Sequence, residues 1–227
     1  MIQDDVMQRL KKFLSILPIL PMIMLIILSG KWLLAEIYHY QANAYMALWD
    51  SSSPIPNSEW EIARKALTKA LALGLNQPVY LEDMSDLFYL KSITEPIDPI
   101  LSIELQKQTL EFIRQAIRLR PSWPYAWAKL ANIKYYTFGM DAEVADALDK
   151  AMILGAWEPM VQLTVAKIGM ASWKKLPNHL QDKVIVTMAR TVQTESNEVL
   201  VIVKNLDMIV VFCERMRLLG KFKKDCR

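Results

Sequence analysis

Two histidines, His39 and His179, and two cysteines, Cys213 and Cys226, are the residues of this chain best suited to metal binding or nucleophilic chemistry. Neither histidine is read as having a carboxylate or cysteine at ligand spacing, so no metal site is expected. A nucleophilic cysteine needs a histidine brought to it in space, and Cys213 lies in an apolar stretch that reads as core. A Cys213–Cys226 bridge is compatible with an oxidising compartment. The acids fall into two groups. Asp141, Glu143, Asp146 and Asp149 stand at the start of a helical pattern, where they complement the helix dipole. "LEDMSD" (Leu81–Asp86) carries three acids at helical spacing and reads as a solvated face. A glycosidase would need two carboxylates set across a cleft. Six glycines in the whole chain leave no Gly-rich loop to cradle a phosphate. The expectation is a protein with no catalytic, metal or cofactor-binding residues, and so not an enzyme.

What remains is contact chemistry. Trp123, Tyr125, Trp127, Tyr135, Tyr136, Trp157 and Trp173 cluster in one half of the chain. Trp127 reads as packed within its own unit. Tyr125 and Tyr135 offer faces of the kind on which sugar rings stack. A net charge of +3, evenly spread, does not point to nucleic acid.

The elements that must hold these residues are helices. Stretches rich in Ala, Leu, Lys and Glu recur, and alternating β-branched runs are rare. One phrase is written three times: "ALALGLNQP" (Ala70–Pro78), "AIRLRPSWP" (Ala116–Pro124) and "AMILGAWEP" (Ala151–Pro159). Each predicts a helix ending after Leu73, Leu119 or Leu154. Gly74 and Gly155 then stand where a left-handed cap would sit. Pro78, Pro124 and Pro159 open the next helix, where a missing N–H costs nothing. Seven residues beyond each proline stands a small residue, Ser85, Ala131 or Ala166, which lets two helices approach closely. The first interval is about a dozen residues longer than the second, and "SITEPIDPI" (Ser92–Ile100) is expected to hold the excess as a loop.

"PYAWAKLANIKYY" (Pro124–Tyr136) and "AIRLRP" (Ala116–Pro121) resemble the two helices of a tetratricopeptide repeat. The match is best over Leu101–Met140. It is weakest over Pro159–Ser172, where Gln162 replaces a large residue. The resemblance implies a concave groove lined by the first helix of each unit. Carried onto this chain, its positions are Tyr125, Ala128, Asn132, Tyr135 and Tyr136, preceded by Val79, Glu82, Asp86, Tyr89 and Leu90. It implies an amphipathic helix or extended segment of a protein partner as occupant. The lysines that clamp a peptide carboxylate in some such arrays are not among these positions. With "DALDKAMILGAWEPMVQLTVAKIGMASW" (Asp146–Trp173), the stretch from Trp60 to Trp173 further resembles the VpsP-type polysaccharide biosynthesis proteins. That resemblance implies a small membrane-anchored repeat protein serving exopolysaccharide assembly. The alternative kept open is a structural subunit of another inner-membrane complex with no glycan role.

Membrane attachment is read from the sequence itself. The chain is 53% hydrophobic. Phe13–Gly30 carries no charge, and at about 1.5 Å per residue it nearly covers a bilayer core of about 30 Å. Phe13, Leu17, Ile23 and Leu28 would face lipid, and Trp32 would sit at the interface. Pro18 and Pro21 are better tolerated in a membrane helix than in a soluble one. "ANA" (Ala42–Ala44) would suit a signal peptidase. Lys31, Glu36 and His39 separate it from the apolar run, so an uncleaved anchor is expected. Arg9, Lys11 and Lys12 place the amino terminus in the cytoplasm, and the rest in the periplasm of a bacterial inner membrane.

The expected fold is all-α: a single amino-terminal transmembrane helix, then a tetratricopeptide-like α-solenoid with a carboxyl-terminal capping helix. The expected layout is a cytoplasmic terminus and anchor over 1–37, a connector over 38–58, repeats over 59–175, and capping helices with a basic tail over 176–227. "NEVLVIVKNLDMIVVFCERMRLLGK" (Asn197–Lys221) reads as one terminal helix, too interrupted by Lys204, Asn205 and Asp207 to cross a membrane.

Overall fold

A computed structural model describes residues 19–49, 53–74, 77–94, 99–194 and 197–220. These residues form ten α-helices and one 3-10 turn, with no strand among them. The expected anchor residues Phe13 and Leu17, the end of the basic tail and Cys226 lie outside them.

Helix α1 (Ile19–Met46) is long and apolar enough to cross a membrane. The helix has two halves. Most side chains from Ile19 to Leu34, Ile23 and Trp32 included, are exposed, whereas Ala35 and Ala42 are fully buried. The second half packs along α2 (Asn57–Leu73) and touches α3 (Pro78–Thr94). Tyr38–Met46, expected in a connector, is therefore helix. The small side chains of Ala35 and Ala42 let α2 lie close, and that packing carries the helix onward.

The remaining helices pair as antiparallel neighbours. Helix α3 packs most extensively on α4 (Pro99–Leu119), α5 (Pro124–Phe138) on α6 (Ala142–Leu154), and α7 (Pro159–Ala171) on α8 (Asn178–Thr194). Consecutive pairs touch through α2–α3, α4–α5 and α6–α7, and α5 also lies against α7. One apolar core runs from Leu81 through Ile133, Leu148 and Ile168 to Met216. A second, around Ala42, Leu67, Leu87 and Phe88, joins α1, α2 and α3.

The three phrases make the same turn. Gly74, Arg120 and Gly155 donate their N–H to the carbonyls of Ala70, Ala116 and Ala151, at 2.8, 2.9 and 2.8 Å. Gln77, Trp123 and Glu158 then donate to Gly74, Arg120 and Gly155, at 3.1, 3.2 and 3.1 Å. The glycines are not left-handed caps: φ is −97° at Gly74 and −119° at Gly155. They are required by crowding. A Cβ on Gly74 would lie 2.3 Å from the Tyr80 ring, and one on Gly155 2.6 Å from the Pro124 side chain.

Gln162, the departure from the pattern, keeps the turn by other means. Trp127 and Gln162 both stand three residues beyond a proline. Each donates a side-chain N–H at 2.8 Å to the carbonyl three residues before that proline, Pro121 or Ala156. Gln162 Oε1 also accepts from Thr191 on α8 at 2.9 Å, so the buried amide is satisfied.

Two expected segments differ. The excess length of the first interval is in the helices: α3 has 17 residues and α4 has 21, against 15 and 13 for α5 and α6. Ser92–Thr94 is helical, and Pro99 opens α4 as a first-turn proline. The single terminal helix is two, α9 (Asn197–Asn205) and α10 (Ile209–Leu218). Asp207 adopts φ +54°; its N–H donates to Lys204 O at 3.0 Å and that of Met208 to Val203 O at 2.9 Å. This is a Schellman ending with aspartate in the left-handed position, a geometry Asp tolerates better than most residues. The break lets Val199 and Val203 of α9, and Phe212 and Met216 of α10, all be buried.

Candidate functional site

Helices α3, α5 and α7 line one concavity of about 340 Å³. Helix α3 supplies Asp86 and Tyr89. Helix α5 supplies Tyr125, Ala128, Lys129, Asn132 and Ile133, and α7 supplies Met160, Thr164 and Lys167. The spacing within each set is three or four residues, which places the side chains on one helical face. Eight residues beyond their respective prolines stand Asp86, Asn132 and Lys167. The groove thus carries an acid, an amide and a base in order across three helices.

Its electrostatics follow from the pairing. Lys129 Nζ lies 2.7 Å from Asp86 Oδ2, tying α5 to α3. Asp86 is half-buried among the residues that line the concavity. The cost of desolvation raises its pKa and outweighs the lowering by Lys129. Burial likewise raises the Tyr89 hydroxyl, with Tyr136 beside it. Tyr125 donates to Glu158, and that bond holds the phenol protonated. Lys167 is exposed and has no ion-pair partner among the described residues. The available groups are the Lys167 ammonium, the Asn132 amide and the apolar faces of Ile133 and Met160, the Thr164 hydroxyl being donated to Met160 O.

Of the residues expected in this groove, Asp86, Tyr89, Tyr125, Ala128 and Asn132 line it together. Glu82 lies at its edge, half-buried near Lys129 and Trp123, its pKa raised by desolvation. Tyr136 is exposed, with its ring edge-on to Tyr135 at 5.2 Å. Tyr135 faces a different cleft of about 380 Å³, with Met170, Trp173, Leu206 and Met208. Lys129 and Lys167 were missed, and they place two lysines where none was expected. The signal was available: Lys167 occupies the register of Asn132 one unit on.

A second polar cluster joins α1 to α3. His39 Nε2 lies 2.5 Å from Asp83 Oδ2 and 3.0 Å from Asn43 Nδ2, and Nδ1 lies 3.4 Å from Glu36 Oε2. Tyr80, fully buried, donates its hydroxyl to Glu36 Oε1 at 2.7 Å. Burial and Glu36 push the Tyr80 pKa well above the ordinary phenol value. His39 therefore does have a carboxylate one helical turn away, and a second brought by the fold. "LEDMSD" is correspondingly no solvated face: Asp83 holds His39, Asp86 holds Lys129 and Glu82 lies against Trp123. Among the described residues the hydrogen-bond partners of His39 are carboxylates and an amide, and its ring lies 4.7 Å from that of Tyr80, so the cluster ties α1 to α3. No group of three or more His, Cys, Asp or Glu among the described residues is arranged to hold a metal.

Three of the four acids around α6 are also structural ties, and Asp146 is exposed. Asp141 caps α6, accepting from Val144 N at 2.9 Å. Glu143 takes Arg114 of α4 in a two-pronged contact at 2.7 and 2.8 Å and also pairs with Lys134 of α5. The Arg114 guanidinium, with Lys134, pulls the Glu143 pKa down to about 2. Asp149 binds Lys183 of α8 at 2.5 Å. Helix-dipole complementation describes Asp141 and Glu143 only in part. His179 is exposed in the first turn of α8, and Cys213 is half-buried against the core.

No protein-family model and no curated protein matches the chain.

Proposed function

We propose that this chain is a membrane-anchored, non-enzymatic scaffold of a bacterial envelope complex. Its helix pairs form a tetratricopeptide-like solenoid closed by α9 and α10, and the α3–α5–α7 groove receives a segment of a protein partner. The carrying observation is the order Asp86, Asn132, Lys167 at one register of three alternate helices, α3, α5 and α7, beside the apolar side chains of Ile133 and Met160. With Asp86 neutralised by Lys129, the free charge of the groove is Lys167. A partner segment with a carboxylate near α7 and an apolar side chain over Ile133 is complementary. The resemblance of Trp60–Trp173 to VpsP-type proteins supports exopolysaccharide assembly as the setting. The distribution of Lys and Arg supports a body in the periplasm.

A photo-crosslinking residue at Asn132, in the full chain in its own membrane, tests the scaffold reading. One dominant adduct, lost in a Lys167→Glu variant of unchanged thermal stability, is expected. An adduct pattern indifferent to Lys167→Glu would remove the groove as a docking site. Polysaccharide output of the Lys167→Glu strain tests the setting: normal output would leave a scaffold without a glycan role. A phosphatase fused after Arg227 is expected to be active, as periplasmic exposure requires.

A further inference from the structure

The three recurring turns lie side by side at one end of the molecule. Trp123 of the second turn lies against Glu82, one helical turn into α3. Gly155 of the third packs on Pro124 of the second, and Tyr125 reaches Glu158. That end is also where α1 leaves the body. A methyl group on Gly74, in the first turn, would lie 3.2 Å from the Ala35 side chain, and Tyr80 reaches Glu36. Residue 35 is where α1 changes from an exposed apolar helix to a packed one. The row of turns therefore begins at the level where the apolar half of α1 ends.

What the turns and the adjoining helix ends display is unlike a water-facing loop. Trp157 is 66% exposed, Met160 64%, Ile153 60% and Leu119 46%. An arginine stands over each tryptophan: Arg120 lies 3.7 Å from the Trp123 ring centre and Arg190 lies 5.3 Å from that of Trp157. Tryptophan and arginine together suit the bilayer interface, where the ring sits at the acyl boundary and the guanidinium reaches phosphate. Two acids of this end are engaged by neighbours, Glu158 by the Tyr125 hydroxyl and Glu82 by Trp123.

We propose that this end of the body rests on the surface of the bilayer that α1 enters, with Trp157, Ile153 and Leu119 in the interfacial layer and Arg120 at lipid phosphates. The proposal rests on α1 spanning that bilayer, and one experiment separates the two. The full chain is placed in nanodiscs of phosphatidylcholine and phosphatidylglycerol with a quencher on the lipid near the headgroup. Quenching of tryptophan emission is then compared for wild type, Trp32→Phe, Trp123→Phe and Trp157→Phe. Loss of a share of the quenching with Trp157→Phe, and a smaller loss with Trp123→Phe, is expected beside the loss with Trp32→Phe. Loss with Trp32→Phe alone overturns the proposal and leaves the span standing. No loss with any variant overturns both. A Trp157 shielded from aqueous acrylamide but not quenched by lipid assigns the face to a protein or a second copy, and overturns the proposal too. Trp157 is exposed, so its substitution leaves the fold intact.

Discussion

Asp86, Asn132 and Lys167 occupy one register, yet only the first two were picked out from sequence, because the weaker phrase around Gln162 discouraged carrying the register onward. The structure shows why Gln162 is compatible with it: the glutamine makes the bond that the Trp127 indole makes one unit earlier. Gln162→Leu strands the Ala156 carbonyl and removes a partner of Thr191. It is expected to cost roughly 1–3 kcal/mol, read as a lower urea midpoint. Gly155→Ala is expected to destabilise by a similar ~1–3 kcal/mol, because its methyl group meets the rigid Pro124 ring rather than a movable chain end. Glu143 makes a prediction in pH. Its carboxylate is held below the ordinary value of 4.5, at about 2. The stability it contributes is therefore complete above about pH 4.5 and is lost as pH falls towards 2. Glu143→Gln should destabilise on the order of 1 kcal/mol at neutral pH, given partial exposure. It should also flatten the fall in unfolding free energy across that acid window. A profile parallel to wild type would show that the ion network contributes nothing.

Helix ends were legible wherever a proline or a small residue forces the geometry: Leu73, Leu119 and Leu154 each close a helix as the phrase requires. Two element-level expectations failed for physical reasons that composition hides. The loop expected over "SITEPIDPI" is shorter at both ends, with Ser92–Thr94 helical and Pro99 beginning α4 because a first-turn proline is unopposed; residues 95–98 lie outside the described ones. The polar residues in the last apolar run, Lys204, Asn205 and Asp207, also break the helix. Asp207 ends α9 by turning left-handed, and that turn lets Phe212 face the core. Asp207→Gly is expected to stabilise by up to about 1 kcal/mol through relief of the left-handed backbone. Asp207→Val is expected to destabilise by roughly 1–2 kcal/mol. Thermal unfolding followed by circular dichroism checks the pair, and equal midpoints would mean that the turn carries no strain.

At the scale of the molecule, the all-helical character and the apolar amino-terminal segment were plain in the sequence. The depth to which α1 enters the body was not. Nothing in Tyr38–Met46 announces that Ala42 will be buried between helices, because the contact is made by residues of α2 that the chain reaches only after a turn. A chain beginning at residue 35 should fold in water, whereas one beginning at residue 47 should lose cooperative unfolding, since it uncovers Tyr80 and the cluster around Leu67. Equal melting of the two would show that α1 contributes no structure to the body. The shared helix also has a mechanical consequence. Its 28 residues make a rod of about 42 Å with no joint between its two halves. Laid across a bilayer, a rod tilted by about 20° carries its far end sideways by roughly 14 Å. The thickness of the membrane would thereby set the azimuth and reach of the groove, making lipid composition a steering input to whatever the groove holds.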